Sequence, residues 1–202
     1  KEKMKEERRE NKKELKSERG KYREEKLRLL NLHAEARKCA KDTDACKNKK
    51  EEVKKGVKAH LENTVDLIDS SLIRLKERVT DSKVLNDADK QSALSQIDEL
   101  EKKLAAEKER VTALGEDVTN EELRNEVKNL KKLWQEVRRL QQRIVADLIS
   151  SQLDHLADKH KEYENSLEAR IRELQAKGVD VTSLERLLEQ FQDEQAQLER
   201  DQ

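Results

Sequence analysis

Leu61, Val65, Ile68, Leu72, Leu75 and Val79 recur along the chain at alternating steps of four and three residues. That stepping holds an apolar stripe on one side of an α-helix and turns it toward a helical partner. The pattern returns at Ile97, Leu100, Leu104, Val111 and Leu114, interrupted by Glu107. A third seam reads Leu123, Val127, Leu130, Trp134, Val137, Gln141, Ile144 and Leu148. Its register shifts near Ser150-Ser151 and resumes as Leu153, Leu156, His160, Tyr163, Leu167 and Leu174, and a last stripe carries Leu184, Leu188, Phe191 and Leu198. Of these, Ile68, Leu72, Leu75, Ile97, Leu104, Leu130, Trp134, Val137 and Ile144 are the expected packing residues.

The polar segments between the seams predict five helices. The first runs from about Lys1 to Ala40, and Asp42-Thr43-Asp44 offers cap oxygens for a second that ends near Val79. Asn86 or Asp87 caps the third, and Gly115 is placed to end it in the left-handed conformation. The sequence T-N-E-E at Thr119 is a capping box, in which hydroxyl and carboxylate satisfy the first free N–H groups reciprocally. No breaker follows before Gly178, so the fourth helix can run about 58 residues, or ~87 Å at 1.5 Å per residue. A second capping box, T-S-L-E at Thr182, opens the fifth.

An internal repeat gives these helices an order. VDLIDSSLIRL at 65–75 aligns without gaps on ADLISSQLDHL at 146–156, matching at Leu67/Leu148, Ile68/Ile149, Leu72/Leu153 and Leu75/Leu156 among others. Both copies open a helix–loop–helix hairpin. Three divisions follow: a basic helix at 1–44, a hairpin plus third helix forming a three-helix bundle at 45–145, and a second hairpin at 146–202 continuous with the preceding helix. The fold class expected is all-α: elongated antiparallel coiled-coil hairpins, with one long helix shared by a complete and an incomplete unit. The incomplete second unit implies a natural chain that continues past Gln202.

This arrangement resembles spectrin-like three-helix coiled-coil repeats, whose neighbouring bundles share a helix. Spectrin units are longer and carry a Trp in their first helix, whereas Trp134 falls in the third. The phrase KGVDVTSLERLLEQF at 177–191 also resembles the turns of secreted helical-hairpin proteins of archaea and little-studied bacteria. That likeness implies a surface or secreted protein.

Composition narrows the classes of function. Charged residues make up 45% and hydrophobic ones 33%, with 2% aromatic and no proline. Ordinary globular chains are roughly 45–50% apolar and about 25% charged, so a water-excluding catalytic pocket lacks material. No nucleotide-binding loop, nucleophile elbow or catalytic constellation is present. The chain reads as a non-enzyme without cofactors. No run of about 18 apolar residues exists to span a bilayer.

Cys39 and Cys46 are the informative pair. If the chain reverses between them, they meet at the neck of a helical hairpin, where Cα atoms come within the roughly 5.5–6 Å of a disulfide. Such a staple implies an oxidising, extracellular compartment. If the helix continues instead, the sulfurs lie about 10 Å apart along its axis and stay reduced, as in a cytoplasmic protein; a bridge between chains is a further alternative. Six intervening residues are not a zinc spacing, and His155 and His160, at i and i+5, do not stack as ligands, so no metal site is expected.

The formal net charge of +0 hides an asymmetry. Residues 1–60 hold 22 Lys and Arg against 13 Asp and Glu, a net of +9, and the remainder balances it at −9. Three readings stay open for the basic end. It is a solvated helix; it meets the acidic body of another copy, another helical protein or an anionic surface polymer; or it docks on nucleic acid or an anionic membrane. Nucleic acid is the least supported, because Tyr22 is the arm's lone aromatic. A rod-like spacer or protein–protein interaction module, at a cell surface or secreted, is the function expected.

Overall fold

The computed structural model describes residues 2–39, 43–115 and 117–200, without the side chains of 2–5, 7, 195 and 198–200. They form five helices: α1 (Glu2–Arg37), α2 (Asp44–Thr80), α3 (Asp87–Ala113), α4 (Asn120–Ala176) and α5 (Thr182–Arg200). No strand occurs among the described residues. The chain is an all-α helical bundle. Two compact units divide it, Lys1–Ala146 and Asp147–Gln202.

In the first unit, polar contacts fix an antiparallel order. Arg8 pairs with Asp81 and Asn11 donates to Glu77, so the start of α1 lies beside the end of α2. Near the other end of that pair, α1 comes so close to α2 that a Cβ on Gly56 would sit 3.1 Å from Leu32 Cδ1. Lys76 Nζ donates to Asp98 at 2.7 Å and to Glu101 at 2.8 Å, joining α2 to α3. Lys103 donates to Glu136 at 2.7 Å and Arg143 to Gln96 at 3.0 Å, joining α3 to α4. Leu15 of α1 and Gln141 of α4 line one crevice with Leu75, which closes the ring. Four helices thus surround one core. Ile68, Leu72, Leu75, Ile97, Leu104, Leu130, Val137 and Ile144 are all buried in it, each contributing roughly 1.5–3 kcal/mol. Where the seams suggested a three-helix bundle over 45–145 preceded by a separate basic helix, α1 is the fourth helix of the same unit.

The helix ends show what local chemistry dictates. Thr43 caps α2 and Asn86 caps α3, each side chain accepting an N–H of the first turn; Asp42 lies outside the described residues. At α4 the box is reciprocal: Thr119 N donates to Glu122 at 2.8 Å and Glu122 N to the Thr119 hydroxyl at 3.2 Å. At α5 it is replaced. Thr182 is already helical, and Asp180 accepts from both its N–H and its hydroxyl, at 3.1 and 2.7 Å. Gly178, at φ +77°, is the sole described residue with a left-handed backbone, so Gly115 does not end α3 as expected. There Leu114 turns to an extended conformation, and Lys58 Nζ takes its carbonyl at 2.5 Å.

The second unit consists of α5 and the part of α4 from Asp147 onward. His160 stacks on Phe191, with ring centroids 5.5 Å apart, and Gln192 donates to Glu164 at 2.5 Å. Ile171 of α4 and Val181, just before α5, are the unit's buried apolar residues among those described. Leu156, Tyr163, Leu167 and Leu187 remain exposed.

Candidate functional site

The neck of the α1–α2 hairpin brings Cys39 and Cys46 to disulfide distance, with Cα atoms 5.6 Å apart. The reversal needed for this comes from the end of α1 at Arg37 and the Thr43 cap, whose hydroxyl accepts from Cys46 N at 3.4 Å. Cys46 is buried.

Beside the neck lies a groove of about 640 Å³, walled by the end of α1, the start of α2 and the first turns of α4. Val53, Val57 and Val127 give it apolar surface, and Arg37, Lys54 and Arg124 stand at its cationic edges. Glu51 is the acidic member of the wall and pairs with Lys54 at 2.9 Å. The groove exists because α3 ends near Lys58, so α1 and α2 run on without it.

Inside the first unit, α1 meets α2 through a partly polar face. Glu18 is buried and accepts from Lys21 at 2.7 Å, and Tyr22 contacts His60 with ring centroids 4.9 Å apart. Burial of His60 lowers its pKa below the ordinary 6.5, with Glu25 opposing that shift. The residues of α1 turned inward include Asn11, Leu15, Glu18, Tyr22, Glu25 and Leu29. These also step by four and three. Half of them are polar, which conceals the seam from a search for apolar periodicity.

On the far side, Glu107 of α3 is buried where the second seam falters. Burial raises its pKa above the ordinary 4.5, the paired Arg110 opposes this, and Glu126 of α4 reinforces it by like charge. A raised carboxyl stabilises the fold below 4.5 and loses that contribution as pH rises through the folded value. Glu107→Gln should therefore stabilise the protein at pH 8 by a few tenths to about 1 kcal/mol. The gain should vanish near pH 4, where both side chains are neutral. Thermal melts of both proteins across that range check this; a gain independent of pH would sink it.

Trp134 is the expected packing residue that sits apart from the core. It is only partly buried, with the Arg138 guanidinium 5.2 Å from its ring. Leu133 and Leu140 fill the buried edge of α4 toward α3, alongside Leu130, Val137 and Ile144. They were legible as 130, 133, 137, 140, 144, a spacing that the large indole at 134 obscured. Gln141, two turns on from Trp134, lines a crevice with Leu15 and Arg19 of α1.

Among the described residues, no group of three or more His, Cys, Asp and Glu could hold a metal ion, and no helix is long and apolar enough to cross a membrane. No family model, curated protein or solved structure matches the chain.

Proposed function

We propose that the protein is a non-enzymatic structural and assembly module: a spacer that carries helical docking surfaces, working in an oxidising, extracellular or cell-surface setting. The observation that carries this reading is the contrast within the internal repeat. Ile68, Leu72 and Leu75 are buried by four helices, whereas Ile149, Leu153 and Leu156 at the equivalent positions are exposed. A bare apolar stripe of that kind marks a surface built for a partner. The 57 uninterrupted residues of α4 support the spacer role, and the Cys39–Cys46 neck supports the compartment.

Small-angle scattering on dilute, monomeric protein tests the spacer. A compact chain of this length has a radius of gyration of about 17 Å. A value clearly above that is expected, and one near it would overturn the reading. The basic end favours a second reading, docking on nucleic acid or anionic membrane. Retention on DNA or anionic vesicles at low salt, lost when the exposed Lys12, Lys13 and Lys16 of α1 are changed to Glu with the helix content kept, would replace the first reading with the second.

A further inference from the structure

Two surfaces of this chain are complementary to each other. Residues 37–39 and 43–58, around the groove, hold eight Lys and Arg against three Asp and Glu; residues 147–202 of the sequence hold seven against fourteen. The groove presents apolar surface between cations, with Val127 43% exposed beside Arg37 and Arg124. The second unit presents apolar side chains on an acidic hairpin, with Tyr163 65% and Leu187 61% exposed. We propose that the groove beside the Cys39–Cys46 neck takes the acidic hairpin 147–202 of a second copy of the chain.

The chemistry is that of an amphipathic helix laid in an apolar groove. Leu187 and its neighbours cover Val53, Val57 and Val127, while Arg37, Lys54 and Arg124 meet carboxylates such as Glu194. Apolar burial supplies affinity; the cationic edges reject a basic helix and fix the register. The contact is heterologous: each copy that joins through its hairpin still offers a groove. Growth is therefore head to tail and continues until an end is blocked. This inference deepens the assembly reading and rests on it.

Sedimentation velocity and light scattering of the full chain test it. Mass should rise with concentration at low salt and fall as salt screens the charges. Two variants at exposed positions separate the surfaces: Arg37→Glu with Arg124→Glu in the groove, and Leu187→Lys on the hairpin. Each should weaken self-association by at least about tenfold while circular dichroism and the melting curve stay as in the parent chain. Mixed in equal amounts, the variants retain one intact groove and one intact hairpin per pair, so the mixture should form dimers and stop there. Association lost with Leu187→Lys but indifferent to the groove variant would overturn the proposal in favour of hairpin–hairpin pairing. A chain that stays monomeric throughout would also overturn it, while an extended radius of gyration would leave the spacer role standing.

Discussion

Truncating Leu72 to alanine is expected to cost about 2–5 kcal/mol of unfolding free energy, and the same truncation at Leu153 less than about 1 kcal/mol. The two leucines occupy equivalent positions of the internal repeat and differ only in what surrounds them. Leu72 is 0% exposed, on the stripe of α2 that packs in the four-helix core. Removing its branched end leaves a cavity that the neighbouring helices cannot collapse, so lost transfer energy and lost packing add. Leu153 is 41% exposed on a two-helix hairpin, where water fills whatever the truncation vacates. Chemical denaturation below the concentration of self-association measures both, as a shift of midpoint at constant slope. Trp134 fluorescence reports on the first unit, and circular dichroism, which sees both, follows the second by difference. Equal costs at the two sites would mean that the second unit is also covered, and the contrast within the repeat would fall.

That contrast could not be read from sequence. VDLIDSSLIRL and ADLISSQLDHL have nearly the same polar–apolar order, and order alone specifies which face of a helix is apolar, not how many neighbours cover it. The seams of α2 and α3 were legible because their members are aliphatic except at Glu107. The α1 seam was hidden because Asn11, Glu18 and Glu25 stand in it, so the basic helix looked like a solvated arm and the first unit lacked a helix. Trp134 misled in the opposite direction. An indole on a seam suggests a core anchor, yet the ring is only partly covered, with the Arg138 guanidinium over it. A left-handed glycine was expected at the end of α3, at Gly115, and occurs instead at the end of α4. Gly178 takes the left-handed conformation, whereas the carbonyl at the end of α3 finds Lys58 instead.

Breaking the link at the α1–α2 neck, by reduction or by Cys39→Ser with Cys46→Ser, is expected to cost about 2 kcal/mol in the first unit, the closure entropy of a short loop. The loss should be concentrated in α1. Its inner face carries Glu18 and Glu25, each with a buried oxygen lacking a hydrogen-bond partner among the described residues, so α1 draws less from burial than α2 or α3 does. A covalent neck keeps α1 at high effective concentration against α2; without it the helix pairs through a half-polar seam. Amide exchange followed by mass spectrometry should show residues 2–37 losing protection on reduction while α3 and the first part of α4 keep theirs. The groove shares this dependence, since Arg37 stands two residues before Cys39 and Lys50 four after Cys46. Self-association through it should therefore weaken in reductant. Protein prepared under oxidising conditions should resist alkylation until reduced and unfolded. Prompt labelling of both thiols without reductant would remove the staple, and the oxidising compartment would lose its support.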